Sequence, residues 1–264
     1  MLKFSLRESK GAFTLAEVLI TLAVVGIVAA STIPAVVTKL TRQEYVTKLQ
    51  KAHNTLVSVV RAAEKDHGPM QYWNHGQGSD GFFNMYFKPY LEILADCGGN
   101  AVTYGAANAC FAAGGGHKSL NNGTVADLSQ RVNNRIARAV NGGAGNHYRV
   151  LTSDGIAYAV LPSTAEGYTN VIVDVNGNKA PNQVGRDIFL FDIFYQAETA
   201  NNNNPVVGVK PAGSAKSTGA LVTTTERDSS GVAASPGPEC CACNTSRGGG
   251  CCAAKVLTEG AMNY

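Results

Sequence analysis

From Gly11 to Val37 the chain carries one charge, Glu17, inside the apolar run GAFTLAEVLITLAVVGIVAASTIPAVV. Nothing else in the sequence narrows the possible folds as much. The 21 residues from Phe13 to Ile33, as a helix rising about 1.5 Å per residue, match a hydrocarbon core about 30 Å thick. Two plain readings compete. One is a secretory signal with the basic start MLKFSLRESK and a small-residue site near Ala29-Ala30-Ser31; the other is a single-pass anchor. Neither explains Glu17, because a carboxylate in a membrane helix costs about 2.5 kcal/mol or more and marks function by default. Lys39, Arg42 and Lys48 follow the run, so the balance of basic residues does not set its orientation.

The string Ala12-Phe13-Thr14-Leu15-Ala16-Glu17, after a short basic leader and before an apolar helix, resembles the signal of type IV prepilins and type II secretion pseudopilins. The resemblance implies a cut by a membrane peptidase between Ala12 and Phe13, methylation of the new amine, and an assembly role for Glu17, four residues after Phe13. Pro34 matches the proline these helices carry. One departure is that the residue before the cut is more often Gly, and here Gly11 lies one place upstream. Cutting after Gly11 would move Glu17 out of register, which favours Ala12. The family's architecture sets the expected fold class. It is α+β, with a long N-terminal helix, half transmembrane and half amphipathic, packed on a small antiparallel sheet head.

The residues beyond Pro34 agree with that order. Val46, Leu49, Ala52, Leu56, Val59, Val60 and Ala63 recur at three- and four-residue spacing, which predicts a helix burying one stripe. Asp66-His67-Gly68-Pro69 reads as its stop. A short helix with an aromatic face is predicted from Phe82 through Leu94, and another from Thr124 to Val140. Tyr148 to Leu161 reads as two strands around Ser153-Asp154-Gly155. Thr169 to Asp174 and Asp187 to Tyr195 read as a second pair around a long loop, and Ala254, Val256 and Leu257 suggest a final strand. The implied organisation is a leader at 1–12, a transmembrane or filament-core helix at 13–37 and an amphipathic helix at 38–66. An α+β head follows at 67–195, then a flexible low-complexity excursion at 196–239 and a Cys-rich segment at 240–264.

Seven cysteines follow the apolar run. In a head outside the cytoplasm they are expected to form disulfides. Cys97 and Cys110 flank a Gly/Ala/Asn-rich loop and form the natural first pair. Cys240, Cys241, Cys243, Cys251 and Cys252 pair among themselves with one left over. A thiolate metal cluster is the alternative there, without the spacing of known zinc modules. In VDVNGNKAPNQVGRDIF, Asp174, Asn176 and Asp187 suit either a side-chain-bonded turn or a structural calcium ion, which the resemblance permits.

Composition excludes some functions. Three of the 22 Lys and Arg and one of the 19 Asp and Glu lie in the first twelve residues, so the remainder is near neutral and offers no footprint for nucleic acid. The five histidines are scattered, with His53 read as structural or solvated, and no catalytic constellation is present. The expected function is a structural subunit of a type IV pilus or secretion pseudopilus. It would sit in the inner membrane with its head outside the cytoplasm. Its partners would be other copies or related subunits, prepilin peptidase, the inner-membrane assembly platform and lipid. The alternatives are a secreted protein with an ordinary signal peptide, or a membrane-tethered metal or redox protein using the C-terminal cysteines.

Overall fold

In the computed structural model, residues 14–99, 110–111, 117–120, 147–163, 167–195, 207–212, 243, 249–250 and 252–264 are described. The contact pattern divides the chain into two compact units, with the boundary between Thr41 and Arg42. A single helix, α1 (Leu15–His67, 53 residues), runs through that boundary.

In the first unit the side chains of α1 are almost all exposed, with Leu15, Leu19, Ile20, Val25 and Ile27 more than half open. The helix is long and apolar enough to cross a membrane. Its hydroxyls bond back to carbonyls of the preceding turn. Thr21 donates to Val18, Ser31 and Thr32 to Val28, and Thr38 to the Pro34 carbonyl at 2.9 Å. Each hydroxyl thereby meets its own need without water, as a helix in hydrocarbon requires.

In the second unit Val46, Leu49, Ala52, Leu56, Val59, Val60 and Ala63 are buried, as the spacing predicts, and Tyr45 joins them. The helix ends where the backbone turns left-handed at Gly68 (φ 79°), whose N–H closes on the Glu64 carbonyl at 2.9 Å. Pro69 follows and bars continuation. The buried stripe packs on a six-stranded antiparallel sheet whose strands run in chain order: β1 (Ile93–Gly98), β2 (Tyr148–Thr152), β3 (Ala157–Pro162), β4 (Tyr168–Asp174), β5 (Ile188–Phe194) and β6 (Gly208–Pro211). The expected α+β class, a long helix on an antiparallel sheet, is the one observed.

Side chains alternate across the sheet. Val150, Tyr158, Val171, Val173, Phe191 and Ile193 face the core with Leu49 and Leu56. Ala157, Ala159, Ile172, Ile188 and Leu190 face the other side, where Cys110 and Phe111 cover them. The turn between β2 and β3 rests on Gly155 (φ 78°), with Asp154 Oδ1 accepting from the Thr152 hydroxyl and the Ile156 N–H.

Three expectations are corrected. The aromatic helix does not run through Leu94. It is α2 (Gly78–Tyr86), burying Phe82, Phe83 and Tyr86. Pro89, with no N–H, sits in a short 3-10 turn at Lys88–Tyr90, and Leu94 lies in β1. The final segment is a helix rather than a strand, α3 (Cys252–Glu259), with Cys252, Ala253 and Val256 buried on one side. Ala, Lys, Leu and Glu favour that state, and Gly260 (φ 61°) ends it with its N–H on the Val256 carbonyl. Within the stretch whose composition suggests an excursion, β6 pairs with β5 from Phe191↔Pro211 to Phe194↔Gly208. The helix expected from Thr124 to Val140 lies outside the described residues.

Candidate functional site

The N-terminal end of α1 is built around Glu17. Thr14, Leu15, Ala16 and Glu17 spell the T-x-x-E of a capping box, and the structure forms one. The Thr14 backbone N–H donates to Glu17 Oε2 at 2.8 Å and the Thr14 hydroxyl donates to the same oxygen at 2.9 Å, while the Glu17 N–H donates to Thr14 Oγ1 at 3.2 Å. Such a cap is worth about 1 kcal/mol and satisfies donors that the first turn otherwise leaves open. The acid also lies at the positive end of the helix dipole. Glu17 is thus a carboxylate with local partners, on an otherwise apolar and exposed helix. Ala12 and Phe13 lie outside the described residues.

In the head, the loop joining β4 to β5 gathers the polar groups that the sequence singles out. Asp174 and Asp187 are fully buried and Asn176 is nearly so. Asp174 Oδ1 accepts the Asn176 N–H at 3.1 Å, the bond of an Asx turn, and Gly177 (φ 69°) turns the chain. Asp187 clasps the far side. One of its oxygens accepts the Gln183 N–H, and the other accepts the Asn182 N–H at 2.7 Å and the Asn176 side-chain amide at 3.2 Å. That amide also reaches the Tyr45 hydroxyl on α1 at 3.1 Å. Burial, and then the facing Asp187 charge, push the Asp174 carboxyl well above the usual range. Burial also raises Asp187, against the backbone N–H groups that favour its charged form.

Three oxygens remain. Asp174 Oδ2, Asn176 Oδ1 and Asn182 Oδ1 are buried and have no hydrogen-bond donor among the described residues. A proton on Asp174 would remedy two of them at most, Oδ2 itself and one amide oxygen that accepts from it, and would leave the third unpartnered. A hard cation within reach of these oxygens would satisfy them and offset two buried carboxylates, and oxygen donors of this kind suit calcium. Asn182, held at φ 52°, is the member that sequence reading missed. Its only local signal is the Pro181-Asn182 turn.

Cys97 is bonded to Cys110, 13 residues on, and Cys243 to Cys252. Cys240, Cys241 and Cys251 lie outside the described residues. Among the described residues no group of three His, Cys, Asp or Glu side chains could hold a metal, so the loop's candidacy rests on amide as well as carboxylate oxygens. Two of the histidines serve packing. His53 lies against Phe191, and His75 stacks on Tyr195 with ring centroids 3.6 Å apart.

Residues 8–33 match the family model of the prokaryotic N-terminal methylation motif. No curated protein and no solved structure matches the chain.

Proposed function

We propose that the chain is a type IV pilin-like substrate of prepilin peptidase and a structural filament subunit, a reading supported by the match of residues 8–33 to the prokaryotic N-terminal methylation motif, the type IV pilin and pseudopilin signature. It serves a type IV pilus or a type II secretion pseudopilus, anchored in the inner membrane by α1 with its head outside the cytoplasm. The observation that carries this reading is the place of Glu17, the only charge in the apolar run and four residues past Phe13.

Cleavage between Ala12 and Phe13 exposes an ammonium at the edge of hydrocarbon. Until assembly, Glu17 rests on Thr14. In the filament, Glu17 of one subunit pairs with the Phe13 amine of a neighbour already in the stack, and two charges that are costly in a low-dielectric setting are relieved together. The pair fixes register as well as adhesion. The partners are other copies or related pilin subunits, and the assembly platform that feeds them. Intact-mass and amino-terminal analysis of protein from the native envelope tests the reading. A chain starting at methylated Phe13 is expected, whereas a start near Ser31 or Thr32 returns it to the ordinary secreted class.

We also propose that the β4–β5 loop holds a structural calcium ion through Asp174, Asn176 and Asn182, with Asp187 supplying charge. The three unpartnered buried oxygens support this. The ion would stiffen the loop to which Tyr45 and the C-terminal residues attach. Thermal unfolding in calcium against chelator reads its presence.

A further inference from the structure

The turn at the end of the β4–β5 loop is gripped by the last segment of the chain. Gly185 has φ +86°, and a Cβ on it would lie 2.9 Å from Cys252 Sγ and 2.9 Å from the Gly249 carbonyl. Gly249 has φ +88°, and a Cβ there would meet the Val184 carbonyl at 2.5 Å. Two glycine backbones thus lie flush against each other, a fit no other residue permits. Cys252 is held to Gly249 by its own N–H at 3.2 Å and to Cys243 by the disulfide. From the far end of the same segment, the Tyr264 hydroxyl donates to the Gly185 carbonyl. Gly185 is flanked in turn by the ion loop's own parts. Gln183 gives its N–H to Asp187, and the Asn182 and Ile188 backbones are tied through Lys118 and Gly185 respectively. Moving the strap therefore moves the residues that place Asn182 and Asp187.

We propose that the Cys243–Cys252 disulfide and Tyr264 form a strap whose closure sets the cation site, so that disulfide and ion are thermodynamically coupled. This rests on the calcium reading of the loop. Opening the disulfide weakens calcium binding. By reciprocity, bound calcium protects this disulfide from reduction by the same free energy. The reaction is ordinary exchange with a dithiol reagent, in which the protein disulfide takes up two electrons and two protons to give two thiols while the reagent closes to its cyclic disulfide. Cys97–Cys110, which ties β1 rather than the last segment of the chain, is the internal control.

The test uses the full chain in detergent, with calcium or with chelator, equilibrated in buffers of graded dithiol-to-disulfide ratio. Alkylation at equilibrium and peptide mapping follow each disulfide separately, and thermal unfolding is recorded alongside. The expected result is that calcium raises the unfolding midpoint and moves the half-reduction point of Cys243–Cys252 about threefold or more toward dithiol, leaving that of Cys97–Cys110 unchanged. Tyr264→Phe, which removes one bond of the strap and keeps every cysteine, is expected to lower calcium affinity by a similar factor. If calcium moves the midpoint but protects neither disulfide, or protects both equally, the coupling is overturned and the ion reading stands. If calcium leaves the wild-type midpoint unmoved, the ion reading falls and the coupling with it.

Discussion

The two halves of α1 use similar residues to opposite ends. Before the boundary at Thr41, valine, leucine and isoleucine point in every direction and are left open, with Val25 64% and Ile27 72% exposed. After it, apolar residues keep to one stripe, and Leu49, Ala52 and Leu56 are completely covered. The backbone geometry is the same in both, so the difference lies in the solvent each half is written for. A helix apolar all round satisfies its backbone internally and lets lipid or neighbouring helices supply the contacts. A helix apolar on one side folds by covering that side with its own chain.

The comparison breaks most visibly under truncation. Leu56→Ala is expected to destabilise the head by about 2–5 kcal/mol, the range for removing a buried leucine side chain, while Leu22→Ala leaves head unfolding unchanged. The single tryptophan, Trp73, is 4% exposed within the head core, so its fluorescence during denaturation reads the first unit's variants and the second's on one scale. Equal losses from both variants would mean that the halves are not separate in energy. Glu17→Ala sharpens the contrast from the other side. It should leave Trp73 unfolding untouched and insertion intact, yet lower the share of variant in sheared filaments about tenfold, equivalent to about 1.4 kcal/mol. Wild-type levels of the variant in filaments would refute the pairing of Glu17 with a neighbour's amine.

A further effect is expected in pH. Burial lowers His53, His75 and His117 below the ordinary value of 6.5, with the Lys210 charge adding at His53, and His117 falls to about 4. The unfolded imidazoles take up protons first, so these residues contribute fully above pH 6.5 and lose ground as the pH falls, His117 down to about pH 4. His117→Gln should therefore flatten the slope of unfolding midpoint against pH between these limits. An unaltered slope would show that His117 is not held neutral. No histidine lies in the membrane half of α1, so insertion should not respond over the same range.

What was legible in the sequence follows the range of the forces involved. The stripe from Val46 to Ala63 and the strands β2 to β5 are written in local periods of 3.6 and 2, with turn residues between them. β1 is not, because its partner Tyr148–Thr152 lies some fifty residues on in the chain. Pro89 is the local sign that the aromatic helix has ended, set within a run of aromatics that favours continuing it. β6 is Gly-Val-Lys-Pro, a strand only because β5 offers it a ladder. In α3, Ala254, Val256 and Leu257 suggest a strand, whereas the spacing of Cys252, Ala253 and Val256 is that of the helix observed. At the candidate sites, Asp174, Asn176 and Asp187 stand out in one loop, whereas Tyr45 and Tyr264 reach that loop only through the fold. The T-x-x-E beginning at Thr14 spells a cap in local sequence, besides setting the register of Glu17 with Phe13.

The sheet ends badly on both sides, for anything that would extend it. β1 slips register between Ile93 and Ala95 and again between Asp96 and Gly98. β6 offers four residues, the last of them Pro211 with no N–H to give. Strand addition needs a flat, continuous row of donors and acceptors, and among the described residues neither margin presents one. Copies crowded side by side on a membrane would therefore find little to recruit them through their heads in the manner of an amyloid. In the proposed filament, polymerisation would be left to α1, where an assembly platform could start, order and reverse it.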